Sequence, residues 1–163
     1  MVPSPQRCDG VTGIVHQVSV SGGGVPKVPV DGGYVGKLGL VDDHHTQSFH
    51  GGTDKALCLF SLEVIEIMAR EGHSIVPGAA GENVTVRGVD WTRVSPGTRW
   101  LIGDEVQIEI THYTTPCKKN SRWFSGGDIA RMAQQRHPGQ SRVYARVLRD
   151  GPIEPGDQFA PAD

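Results

Sequence analysis

In Glu105-Val106-Gln107-Ile108-Glu109-Ile110-Thr111-His112, polar and apolar residues alternate without a break from Glu105 to Thr111. A period of two means a half-buried strand, with Val106, Ile108 and Ile110 facing a core and the polar set facing away. The rest of the chain must supply partners for that strand, and its punctuation limits what they can be. With 22 Gly and 11 Pro in 163 residues, turn-forming residues exceed the usual shares of about 7% and 5%, which favours short strands joined by turns.

Several segments fit that role. Gly13 to Ser21 is rich in β-branched residues and runs into Gly22-Gly23-Gly24, so it reads as a strand followed by a flexible turn. Val25 to Val41 is broken by Pro26, Pro29 and four glycines and suits short or edge strands. Asn83-Val84-Thr85-Val86, Arg99-Trp100-Leu101-Ile102 and Arg142 to Leu148 are further strand patterns. Ala56 to Phe60 reads as a buried segment leading to Ser61, whose hydroxyl can cap a helix from Leu62 to Glu71 that Gly72 stops. The expected apolar face of that helix is Leu62, Ile65, Met68 and Ala69, while Glu63, Glu66 and Arg70 form a solvated face without chemistry. Asp128 precedes a second expected helix, Ile129 to Arg136. The whole predicts one β-rich α+β domain over residues 11–160, a barrel that removes its own edges, behind a flexible N-terminus at residues 1–10.

Charge narrows the partners. Sixteen basic against 18 acidic side chains leave a net −2, which argues against a broad surface for nucleic acid or anionic membrane. No apolar run approaches the roughly 18–20 residues needed to span a bilayer, and the first residues lack a signal-peptide layout, so a soluble, cytoplasmic protein is expected. Cys8, Cys58 and Cys117 form neither a disulfide framework nor a C-x-x-C pair.

Three segments can carry chemistry. In Thr114-Thr115-Pro116-Cys117-Lys118-Lys119-Asn120-Ser121-Arg122, the cations Lys118, Lys119 and Arg122 place Cys117 in positive potential. Such potential favours a thiolate able to bind metal or attack an electrophile, and the same cations can hold a phosphate. An incidental cysteine remains the alternative, whereas Cys58, between Leu57 and Leu59, reads as a core side chain. In His50-Gly51-Gly52-Thr53-Asp54-Lys55 the glycines allow close approach of a ligand, His50 and Asp54 offer polar contacts and Lys55 a cation; an ordinary turn explains the same letters. His44 and His45 with His50 raise a zinc site, but they lack cysteine or glutamate partners at known spacings. Gly81-Glu82-Asn83 can present backbone and side-chain hydrogen bonds to a heterocycle, or form a tight turn entering a strand.

Taken in order, His50-Gly51-Gly52-x-Asp54-Lys55-Ala56, Gly81-Glu82-Asn83-Val84-Thr85, Ile102-Gly103-Asp104 and Pro116-Cys117 resemble the MOSC domain, named for the C-terminal domain of molybdenum cofactor sulfurases. The resemblance spans roughly Gly13 to Asp157. It implies a β-barrel-rich fold, binding of the molybdopterin form of the molybdenum cofactor, retained or lost on purification, and a functional cysteine at Cys117 that would ligate molybdenum. Glu82 and Asn83 would then lie near the pterin, Gly51, Gly52 and Gly81 would admit the cofactor, and Lys55, Lys118 or Arg122 would meet its phosphate. His50 and Asp54 would line the site, with His50 a candidate proton donor.

Stand-alone members resemble bacterial proteins that detoxify N-hydroxylated bases. The implied activity is reduction of such small molecules with electrons from a separate redox protein. The alternative is a carrier that holds a persulfide or the cofactor on Cys117 for a cofactor-biosynthesis enzyme; a binding module without redox chemistry is the third reading. The oligomeric state is open, a homodimer included. Longer relatives carry a C-terminal helical extension, and the amidoxime-reducing enzymes an added N-terminal β domain. This chain shows neither pattern, so any substrate cover or electron-partner docking they provide is expected to be absent or to come from another subunit.

Overall fold

A computed structural model describes residues 11–44 and 52–162; the expected flexible N-terminus lies outside them. The strands are β1 (Gly13–Val20), β2 (Val28–Val30), β3 (Gly33–Gly36), β4 (Gly39–Leu40), β5 (Leu57–Ser61), β6 (Val84–Arg87), β7 (Arg99–Ile102), β8 (Val106–Tyr113), β9 (Val143–Arg149), β10 (Gly151–Ile153) and β11 (Gln158–Ala162). One α-helix, α1 (Leu62–Arg70), follows β5 directly.

Seven strands close a mixed barrel in the order β1-β6-β5-β9-β8-β7-β11, with β11 returning to pair with β1. Only β5 and β6 run parallel, and α1 makes the crossover that such a pair requires. β2 is added to β1, while β10, β3 and β4 form a separate small sheet. Register shifts at Val15/Gln17 and along β8–β9 are bulges that allow strands to bend round a closed wall.

The alternation in β8 is realised: Val106, Ile108 and Ile110 are buried and Gln107, Glu109 and Thr111 are only partly covered. All of β5 is buried, because one face lines the barrel interior and α1 packs against the strand. Closure brings Phe159 of β11 against Trp100 of β7, their rings stacked 4.8 Å apart at 10°. Ser61 caps α1 as expected, its hydroxyl accepting from Val64 N–H at 3.2 Å.

The helix face is shifted by a residue. Val64, Ile65 and Met68 are buried, whereas Ala69 is exposed and Leu62 half-buried. The expected helix at Ile129–Arg136 is one 3-10 turn, Ile129–Met132, after which Ala133 is extended. Asp128 supplies no side-chain cap there, and Arg131 is drawn into a bidentate pair with Glu71 at 2.7 and 2.9 Å. Tertiary contacts thus override a weak local preference.

Because Phe159 is fully buried and its strand closes the barrel, Phe159→Ala should lower unfolding free energy by about 3–5 kcal/mol. Denaturant titration of the two proteins checks this.

Candidate functional site

The end of the barrel where β8 finishes and β5, β6 and β9 begin opens into a cavity of about 110 Å³. A polar clamp shapes one side. Asn83, 1% exposed, accepts from Cys58 N–H through Oδ1 at 3.0 Å and donates through Nδ2 to Ser19 O at 3.3 Å and Asp43 Oδ2 at 2.9 Å. Asp43 in turn accepts from Lys27 Nζ at 2.7 and 2.6 Å and from Ser21 N–H at 2.9 Å. The Lys27 and Asp43 side chains are 8% and 2% exposed, so this is a buried ion pair, to whose carboxylate Ser21 and Asn83 add neutral donors. Gly78 lets the next loop approach: at φ +85°, a Cβ there would lie 2.5 Å from Lys27 O.

The opposite wall carries positive charge and thiols. Arg142, 5% exposed, precedes β9. Its Nη1 donates to Ala80 O at 2.8 Å, and its buried Nε has no hydrogen-bond partner. Asn120 Nδ2 donates to the same carbonyl at 3.1 Å. Cys117 precedes a six-residue 3-10 turn, Lys118–Trp123, and its carbonyl accepts from Asn120 N–H at 2.9 Å. Three residues per turn put Asn120 over Cys117 on the cavity side. Lys119 and Lys55 also line the cavity, and Lys55 Nζ stands 5.3 Å from the centroid of the Tyr144 ring.

The two described thiols differ. Cys58 lies at 3.9 Å from Thr114 Oγ1, and burial pushes its pKa up against the pull of Arg142. Cys117 is half-buried at the cavity. Burial, with a smaller contribution from both thiols, pushes Tyr144 up to about 12, so its phenol is a neutral donor at physiological pH.

Glu82 stands behind the wall, fully buried, with Oε1 lacking a partner and Oε2 accepting from Thr85 Oγ1 at 3.5 Å. Burial raises its pKa to about 7, opposed by backbone groups of Glu82 and Gly78 and by Arg142. A carboxyl raised in the fold binds its proton more tightly there than in the unfolded chain. Its stabilising contribution is complete below the unfolded pKa and is lost as pH rises through about 7. Relative to Glu82→Gln, the wild-type thermal midpoint should therefore fall between about pH 5 and about pH 8; a constant difference in scanning calorimetry across that range would contradict it.

Of the residues singled out from the sequence, Lys55, Gly81, Asn83 and Cys117 line this cavity. Glu82 is adjacent but sealed off. Gly52 and Asp54 are exposed, and Asp54 pairs with Arg146 at 2.9 Å. Lys118 is exposed, and its neighbour Lys119 lines the cavity instead. Arg122 donates to Val25 O at 2.6 Å and lies over Trp123. His50 and Gly51, like His45, fall outside the described residues. Among the described residues, no group of three His, Cys, Asp or Glu side chains gathers to hold an ion. Lys27, Asn120, Arg142 and Tyr144 escaped the sequence reading. The one local signal was Arg142, a cation in a polar segment, Gln140-Ser141-Arg142, that enters an apolar strand.

The MOSC domain family profile matches residues 46–160. Protein YiiM of Escherichia coli (strain K12) is 33% identical over 116 residues, 68% of this chain and 51% of that protein. A Gibberella moniliformis protein named Reductase is 29% identical over 127 residues, 75% of this chain and 22% of its own length. The crystal structure of YiiM from Geobacillus stearothermophilus has a TM-score of 0.73 at 28% identity, covering 93% of this chain and 75% of that one. The chain spans about half or less of the length of the curated relatives it matches. With a profile match over most of its 163 residues, the chain belongs to the MOSC domain family.

Proposed function

We propose that this chain binds the molybdenum cofactor in the cavity at the barrel end and, as part of a larger assembly with a redox partner, reduces N-hydroxylated small molecules. The observation that supports it best is the meeting of one half-buried thiol, Cys117, with Lys55, Lys119 and Arg142 around a single cavity. That donor set fits a group with a soft metal at one end and a phosphate at the other. Arg142 brings a fixed positive charge to the same cavity, held in place through Nη1 by Ala80 O.

Each residue has a separate task. Cys117 would ligate the metal through its sulfur. Asn83, held by three hydrogen bonds, keeps the segment Ala80-Gly81 at the cavity edge where backbone groups can meet a pterin. Lys55 and Lys119 would face the phosphate. Tyr144, kept as a neutral phenol, can donate a hydrogen bond to an oxygen in the cavity. When bound, the cofactor supplies two-electron transfer at molybdenum; the protein's contribution is to bind, orient and hold protons.

The Gibberella relative's name and the YiiM likeness accord with this reading, as does the sequence resemblance to proteins acting on N-hydroxylated bases. Purified after expression with ample molybdate and supplied with a reduced viologen dye, the protein should reduce hydroxylaminopurine-type substrates. Cys117→Ala should lose activity about 100-fold or more, since even supporting residues of metal sites cost about 10–100-fold. A labile extra sulfur on Cys117, seen by mass spectrometry with no turnover, would move the assignment to a sulfur carrier.

A further inference from the structure

The connection between β1 and β2 runs past the mouth of the cavity and has no part in the chemistry assigned above. Its two ends are pinned. Ser21 N–H donates to Asp43 Oδ1 at 2.9 Å, and Lys27 N–H donates to Gly78 O at 2.9 Å while the Lys27 side chain is paired with Asp43. Between these pins lie Gly22-Gly23-Gly24-Val25-Pro26. Gly23 at φ +138° and Gly24 at φ +75° hold backbone that favours glycine. A Cβ on Gly22 or Gly24 would meet nothing within 4 Å, so little packs against this stretch.

Gly24 and Val25 line the cavity, and Val25 touches both of its walls. On one side its Cγ1 lies over Gly81, 3.0 Å from where a Cβ on that glycine would stand. On the other its carbonyl accepts from Arg122 Nη2 at 2.6 Å, with the guanidinium laid over the Trp123 ring at 4.4 Å. Among the described residues, this is the one hydrogen bond that reaches residues 22–26 from outside the connection. The others come from Ser21 Oγ, which donates to Gly24 O at 3.0 Å and accepts from Gly23 N–H at 3.2 Å. The facing walls are held more firmly. Asn83 is fixed by three side-chain bonds, and the turn after Cys117 by Asn120 Nδ2 on Ala80 O at 3.1 Å and by Ser74 N–H on Trp123 O at 2.8 Å.

We propose that residues 22–26 are a gate over the cavity, latched by the hydrogen bond from Arg122 to Val25 O and seated by the Val25 side chain on Gly81. The size of the cavity calls for one. It encloses about 110 Å³, whereas pockets that bury a ligand of cofactor size run to about 300–1,000 Å³. That need rests on the cofactor reading above. Three glycines can absorb the backbone rotation at a hinge. Breaking one bond at an exposed rim costs little, because water replaces both partners. Arg122, expected from the sequence to meet a phosphate, acts here as a positioning residue through Val25.

Cofactor-free protein suffices for the test, so the two readings fail separately: the gate by thiol labelling, the cofactor by metal content. The reporter is Cys117, half-buried at the cavity, in a Cys8→Ser background and with the labelled site identified by peptide mass mapping. N-ethylmaleimide and the bulkier, uncharged pyrene maleimide are compared, each rate divided by that with glutathione. In the wild type the pyrene reagent should lag by about tenfold or more, because its entry waits on local opening.

Arg122→Leu keeps bulk over Trp123 and removes the latch, and should narrow that gap about fivefold, the worth of one hydrogen bond. Lys118→Leu removes an equal charge beside Cys117 and should leave the gap unchanged, because a change in thiolate fraction scales both rates alike. If Arg122→Leu does not fold, Val25→Ala, which removes the seat on Gly81, decides in its place and should narrow the gap in the same direction. Equal relative rates for the two reagents in the wild type, a gap unchanged in the deciding variant, or one narrowed as far by Lys118→Leu would each overturn the gate.

Discussion

The cavity depends on one amide. Asn83 stands where the parallel strands β5 and β6 begin, and there its backbone and side chain together satisfy both polar groups of Cys58: Asn83 N–H donates to Cys58 O at 2.8 Å while Oδ1 accepts from Cys58 N–H at 3.0 Å. The same side chain reaches Ser19 O on β1 and the carboxylate of Asp43. In the low dielectric of a barrel end these bonds are individually modest but costly to lose, because each broken one strands a buried group. The amide therefore fixes the relative position of three segments, and the cavity is the space they leave.

On that frame the charges divide into two kinds. The Lys27 ammonium is neutralised within the wall by Asp43, so it braces the structure. Arg142 is braced through Ala80 O and keeps a donor in reserve. A chain of net charge −2 thus holds a locally basic, partly desolvated surface at this cavity. Cys117 adds a half-buried thiol to the same surface and, among the described residues, joins no cluster of His, Cys, Asp or Glu side chains.

Much of this was legible in the letters, for reasons specific to particular segments. The period-two pattern of Glu105 to His112 fixed β8 to within one residue, because side-chain alternation is a local property of the chain. Ser61 and Gly72 bracketed α1 through local capping chemistry. The second helix failed because Arg131 is held by Glu71, 60 positions away, a contact that no window of sequence contains. The cavity was legible where its residues sit in compact motifs, as Gly81 and Asn83 do, and Cys117 after its strand. Arg142 and Lys27 were missed because they join it from separate turns, and Asn120, three residues after Cys117, because an amide in a run of cations gives no sign of its burial. Cys58 was correctly read as buried, yet the apolar run hid that this residue also lines the cavity.

The central claim is that Cys117 binds the metal of a cofactor held at this barrel end. Anomalous diffraction at the molybdenum absorption edge, from crystals of protein made in molybdate-fed cells, tests it most directly. The account predicts one strong peak in the cavity, bonded to the sulfur of Cys117 and absent in Cys117→Ala. A peak elsewhere on the protein, or one that persists in the cavity of the variant, would contradict it.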